Sequence, residues 1–200
     1  LHEPLFEQNV RREVSKCIET GWLSSTGKNV ELFEKKISHF NKSNFVVNCN
    51  SGTAALHISL KLSNVKKDDE VIVPSITFIS TINSVLYCNA SPIFMDCDKN
   101  LNVDVNKIIL FLKNNTYQKK KITAILITHV FGNLVNLDEL VSLCKKRSIK
   151  LIEDAAEALG STFNNKLHAG TIGDFGILSF NVNKIITTGS GGSILIKNKK

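Results

Sequence analysis

Apolar and polar positions follow two periods along the chain, and their succession divides it into helices and strands. From Phe6 to Thr20, the residues Val10, Val14, Cys17 and Ile18 recur at helical spacing, and Gly21 supplies a stop. Trp22 to Gly27 is a loop of small residues around one tryptophan, and Val30 to Phe40 returns to the helical pattern through Leu32, Phe33 and Ile37. Asn44 to Cys49 reads as a strand, Asn50 to Thr53 as a turn, and Ala54 to Leu62 as an apolar helix.

The alternation then becomes regular. A strand at Glu70–Val73 leads through Pro74–Phe78 into a helix that runs to Tyr87. A strand at Pro92–Asp96 precedes a helix at Val105–Leu112. The strand Ile122–Thr128 ends in His129-Val130-Phe131-Gly132, ahead of a helix at Leu137–Lys146. The strand Lys150–Glu153 carries Asp154, and the last strands fall at Gly176–Phe180 and Ser193–Ile196. Strands alternating with helices of this length predict an α/β fold, with a mostly parallel central sheet sandwiched by helices. In such sheets ligands bind outside the carboxyl ends of the strands. Ser51, Phe78, Asp96, His129, Asp154 and Ser179 all fall at or just past a predicted strand end.

Composition narrows the function classes. A chain of 200 residues, 42% hydrophobic and 22% charged, is an ordinary globular domain with a full core. The net charge of +7 is dispersed, and its densest run, Lys119-Lys120-Lys121, reads as a solvated loop. Without a basic stripe interleaved with aromatics, no nucleic-acid partner is expected. Anionic small molecules such as phosphates or nucleotide sugars suit the charge. The five cysteines form no C-x-x-C pair, so neither a metal site nor a disulfide framework is expected, and a reducing cytoplasm is the expected setting. No apolar run reaches membrane-spanning length, so no membrane partner is expected. The chain lacks an initiator Met and stops directly after an apolar strand, so it reads as part of a longer protein.

The candidate chemistry centres on Asp154 and Lys184. An acid ends a short apolar run, and a lysine follows thirty residues later in a turn rich in Ser, Asn, Thr and Gly. That pairing suits pyridoxal phosphate, which needs a lysine amine for its Schiff base and a carboxylate against its pyridine nitrogen. Either residue alone also reads blandly, Asp154 as a helix cap and Lys184 as a surface lysine. A strand, the Ser51-Gly52-Thr53 turn and a helix N-terminus make an anion site by backbone N–H groups and the helix dipole, though the same turn serves as an ordinary cap. His129 stands either in packing or against a substrate, and Trp22 either lines a pocket or closes the core. His57 and Asp96 read as structural.

Taken in order, these stretches resemble a known family. Ser51-Gly52-Thr53-Ala54-Ala55-Leu56-His57, Val73-Pro74-Ser75-Ile76-Thr77-Phe78, His129-Val130-Phe131-Gly132 and Glu153-Asp154-Ala155-Ala156-Glu157-Ala158 are similar to motifs of the DegT/DnrJ/EryC1/StrS nucleotide-sugar aminotransferases. So are Gly170-Thr171-Ile172-Gly173-Asp174 and the run from Ser179 through Lys184 to Gly192. The opening Leu1-His2-Glu3-Pro4 and Thr20-Gly21-Trp22-Leu23-Ser24-Ser25 resemble the subgroup serving legionaminic acid and bacillosamine synthesis. The resemblance implies a pyridoxal phosphate enzyme of fold type I. In it, residues 1–40 form an N-terminal helical segment packing on a large cofactor-binding domain, residues 41–200, whose C-terminal small domain is missing.

Roles follow from the resemblance position by position. Lys184 matches the Schiff-base lysine and Asp154 the ring-nitrogen partner. Phe78 matches the stacking aromatic, while Gly52, Thr53 and Ser179 match phosphate ligands. Glu157 stands near the cofactor's 3-oxygen, and His129 and Trp22 are the candidates for the substrate side. The implied reaction moves an amino group from L-glutamate to the C4 keto group of a nucleotide-linked 4-keto-6-deoxy sugar, UDP- or GDP-linked, in bacterial surface-glycan synthesis. A homodimer sharing its active sites is implied as well. Two other readings stay open: a non-catalytic fragment of the same fold, and a fold-type I aminotransferase acting on a small keto acid.

Overall fold

The central strands are apolar on both faces, which requires a helical layer on each side. The computed structural model describes residues 4–114, 121–164 and 166–197. Within these, the elements run α1 (Gln8–Glu19), α2 (Lys28–Asn41), β1 (Phe45–Cys49), α3 (Gly52–Leu62), β2 (Glu70–Pro74), α4 (Ile79–Tyr87), β3 (Ser91–Met95) and α5 (Val105–Asn114). They continue with β4 (Ile122–Thr128), α6 (Asp138–Arg147), β5 (Lys150–Asp154), β6 (Thr162–Phe163), β7 (Leu167–His168), β8 (Phe175–Ser179) and β9 (Gly192–Ile196).

Seven strands form one sheet in the order β1-β9-β8-β5-β4-β2-β3. The pairs from β3 through β2, β4 and β5 to β8 are parallel, and β9 runs antiparallel to both β8 and β1. The mostly parallel α/β architecture is therefore present. All seven residues of β4 are buried, and alternate ones serve opposite faces. Ala124 and Leu126 join Leu56 and Leu60 of α3 and Val85 of α4 in one cluster. Ile125 and Ile127 join Ile108 and Leu112 of α5 and Leu140 of α6 in another. Each such buried leucine or isoleucine contributes about 1.5–3 kcal/mol. A third cluster seats α2, where Ile37 meets Phe180 and Phe33 meets the same ring edge-on at 5.0 Å.

Some local details differ from the sequence reading. The first helix is shorter than expected and buries none of its residues, although Gly21 does take the left-handed conformation of a helix stop. The hairpin of β6 and β7 was not anticipated, because two-residue strands are too short to show a period. The Lys119–Lys121 run lies largely outside the described residues. No helix among those described is long and apolar enough to cross a membrane.

Candidate functional site

The ends of β1, β2, β4, β5 and β8 surround one cavity of about 490 Å³. Gly52, Thr53, Phe78, Asp154, Glu157, Ser179 and Lys184, all singled out from sequence, line it together. The parallel strands cause this convergence, since each crossover returns the chain to the same edge of the sheet.

The Ser51–Thr53 turn shapes one wall. Ser51 takes an extended conformation and its Oγ accepts the Ala54 N–H at 3.1 Å, which starts α3. The first N–H groups of a helix have no intrahelical partner and carry partial positive charge. Gly52 lies against Ser179: a Cβ on it would stand 3.0 Å from Ser179 Cβ and 3.2 Å from its Oγ. Any side chain here would require Ser179 to give way by a few tenths of an ångström, so the glycine lets the helix start and the serine hydroxyl lie this close, in an arrangement suited to a phosphate.

Asp154 is 3% exposed. Its Oδ1 accepts the Ala156 N–H at 3.1 Å and its Oδ2 accepts the Thr81 hydroxyl at 3.2 Å. Burial pushes its carboxyl above the ordinary range, against the opposing pull of those two hydrogen bonds, Lys184 and His129. Among the described residues it makes no ion pair, so a cationic group arriving in the cavity would meet a carboxylate whose charge is poorly compensated. Lys184 follows β8 in a turn closed by its N–H on Asn181 O at 3.0 Å. Its side chain is 13% exposed, with Nζ 3.4 Å from Glu157 Oε1. The other oxygen of Glu157 accepts the Phe131 N–H at 3.1 Å. Phe78 is 70% exposed and lines the same cavity, a large apolar ring left uncovered by the fold.

These donors fit pyridoxal phosphate: a helix start and serine hydroxyl for the phosphate, a buried carboxylate for the cationic ring nitrogen, an amine for the aldehyde. The two substrate-side candidates do not line the cavity. His129 is fully buried, its Nε2 lies 2.9 Å from Glu153 Oε2 and its Nδ1 accepts the Val135 N–H at 3.2 Å. With both ring nitrogens engaged by the protein, it has none left for a sugar. Trp22 is 63% exposed and does not line the cavity; its ring lies beside Gly27. His57 packs edge-on against Tyr87 at 5.7 Å, and Asp96 pairs with Lys107 at 2.6 Å.

The sequence reading missed the threonines beneath the cavity. Thr77, Thr81 and Thr128 form a hydrogen-bonded row that ends on Asp154. The four-residue spacing of Thr77 and Thr81 across a helix start, and the place of Thr128 at the last position of its strand, were the available signals. Ser190 also lines the cavity and donates to Asn50 O at 2.8 Å, tying the loop after Lys184 to the end of β1.

Comparison with known proteins gives the same picture. The model of the DegT/DnrJ/EryC1/StrS aminotransferase family matches residues 4–200. GDP-perosamine synthase of Caulobacter vibrioides is 38% identical over 192 residues, 96% of this chain and 50% of that protein. UDP-4-amino-4,6-dideoxy-N-acetyl-beta-L-altrosamine transaminase of Campylobacter jejuni is 35% identical over 175 residues, covering 87% and 45%. The PLP-form structure of the putative sugar aminotransferase Spr1654 from Streptococcus pneumoniae superposes with a TM-score of 0.87 at 28% identity, covering 98% of this chain and 52% of that one. The chain thus spans about half the length of the relatives it matches.

Proposed function

The chain belongs to the DegT/DnrJ/EryC1/StrS aminotransferase family, and on that premise we propose that it carries the cofactor half of a nucleotide-sugar aminotransferase. The reaction we assign is transfer of an amino group from L-glutamate to the C4 keto group of a UDP- or GDP-linked 4-keto-6-deoxy sugar. The observation that carries this reading is the meeting of Lys184, Asp154 and the Gly52–Ser179 contact in one cavity. Position 4 is supported by the Campylobacter relative, whose name places its amino group there, and a nucleoside diphosphate by both relatives' names. Residues 1–40 serve in this reading as a helical segment on a cofactor-binding domain of residues 41–200. The working form is a cytoplasmic homodimer.

Pyridoxal phosphate, when bound, supplies an electron sink that lets the donor's α-carbon lose a proton. The α3 start with Gly52 and Thr53, together with the Ser179 hydroxyl, would hold the phosphate. Asp154 would supply the negative charge for a cationic ring nitrogen, and the exposed Phe78 ring would offer it a stacking surface. Lys184 would hold the cofactor through its Nζ, and the same amine, when unprotonated, is the group placed to take the donor's α-proton as a general base. Glu157 Oε1 steadies Nζ at the cavity wall, and its anchor on Phe131 N keeps that carboxylate in place.

The test is an amino-transfer assay with glutamate as donor and a panel of acceptors: UDP-linked keto sugars, GDP-linked keto sugars and free keto acids. Turnover restricted to nucleotide-linked acceptors is expected, and Lys184→Ala reduces it at least about 10³-fold. Preference for free keto acids would assign the other aminotransferase chemistry, and retained turnover in Lys184→Ala would remove the lysine from the mechanism.

A further inference from the structure

Asp154 stands at one end of a row of hydroxyl groups. Thr81 Oγ1 lies 3.2 Å from Asp154 Oδ2, Thr77 Oγ1 lies 2.8 Å from Thr81 Oγ1, and Thr128 Oγ1 lies 2.9 Å from Thr77 Oγ1. The three threonines come from the first turn of α4, the connection ahead of it, and the last position of β4. Thr81 and Thr128 are buried.

Proton counting fixes the direction of the row. A threonine hydroxyl has one proton to donate, and an ionised carboxylate can only accept. With Asp154 ionised, Thr81 spends its proton on Oδ2. Thr81 then accepts from Thr77, and Thr77 from Thr128, so the three hydroxyl dipoles point toward the carboxylate. A proton on Asp154 Oδ2 reverses the order, because the carboxyl then donates to Thr81.

We propose that Thr81, Thr77 and Thr128 are positioning residues whose aligned hydroxyls hold Asp154 ionised and fix its carboxylate plane at the wall of the cavity. The consequence for a cofactor ring nitrogen rests on the pyridoxal phosphate reading above. Two effects give the row its strength. A hydrogen bond to a charged acceptor is roughly twice as strong as a neutral one, and bonds in a chain polarise one another by roughly 10–30% each. The row opposes the desolvation of Asp154. The other groups acting on this carboxylate are the Ala156 N–H on its own turn, Lys184 from the loop after β8 and His129 from the end of β4. Lys184 is engaged by Glu157, and His129 by Glu153.

The experiment is denaturant unfolding of the cofactor-free protein from roughly pH 5 to roughly pH 9. Thr81→Val is compared in the native background and in an Asp154→Asn background, which keeps Lys184, Glu157, His129 and Glu153. A raised folded pKa places the ionisation of Asp154 above the ordinary carboxylate value. As pH rises through it, the rise in unfolding constant caused by Thr81→Val grows about tenfold in the native background. It stays flat in the Asp154→Asn background, and Thr81→Ser restores native behaviour. Thr128→Val, at the far end of the row, gives the same trend at smaller size and serves if Thr81→Val does not fold. A loss independent of pH in the native background overturns the proposal, as does a pH trend that persists without Asp154. Cofactor absorbance measured in parallel separates the two readings. A pH-dependent threonine effect in a protein that binds no cofactor upholds the row and removes the cofactor reading, whereas a cofactor band without the pH trend removes only the row.

Discussion

Lys184 and Asp154 show what single positions disclose and what they hide. Each alone is a commonplace surface or capping residue, and only their order among strand ends pointed to a shared site. The structure adds the burial of Asp154, which has a consequence for stability. Its folded pKa is raised above the unfolded value, so its contribution is fully present below the unfolded pKa and is lost as pH rises through the folded one. Ionising this carboxyl as pH rises therefore costs the cofactor-free protein stability. Asp154→Asn is expected to raise the melting temperature of that form at pH 8 by a few degrees and to leave it little changed near pH 4. Scanning calorimetry of both proteins at the two pH values checks this, and an equal difference at both would mean that the carboxyl does not titrate as described. His129 marks the limit of residue-level reading. A histidine at a strand end looks available in sequence, and only the Glu153 carboxylate and the Val135 N–H on its two nitrogens, with Phe163 against its ring, show that it is not.

Among the elements, the turns carry the chemistry and the strands position it. The α3 start depends on Gly52, and Gly52→Ala would drive a methyl against Ser179 and push the helix start away from the serine hydroxyl. Weaker binding of the cofactor phosphate by about tenfold is expected, read by equilibrium titration with pyridoxal phosphate and by competition with inorganic phosphate. A second device fixes the end of β5. Glu153 is fully buried, and its carboxylate accepts the N–H groups of Gly170, Ile172 and Gly173 at 3.1, 2.7 and 2.6 Å, with the His129 ring at 2.9 Å. Glu153→Gln replaces one acceptor oxygen with a donor facing N–H groups, and a loss of about 3 kcal/mol in urea unfolding is expected. The periods of the sequence found every strand of the main sheet, because half-buried and fully buried strands leave a pattern. They missed β6 and β7, which are too short to leave one, and overextended α1, whose apolar positions recur at helical spacing yet are not buried in this chain.

At the scale of the whole molecule, the α/β layering was legible because alternation of strand and helix patterns leaves few ways to cover both faces of a sheet. The antiparallel course of β9 was not, since strand direction is set by the length of a connection rather than by the strand's own residues. Strand direction matters here. Because β9 returns antiparallel between β8 and β1, the ends of β8 and β1 lie on the same side of the sheet, and Ser179 meets Gly52 across the intervening strand. The cavity is thus a product of topology, and no contiguous motif encodes it.

The most direct test of the central claim is reductive trapping. The purified protein is mixed with pyridoxal phosphate, its visible absorption recorded, the bond reduced with borohydride and the labelled peptide mapped. The account predicts a visible band that disappears on reduction, and a single label on Lys184. A label spread over surface lysines, or no band at any cofactor concentration, would contradict it.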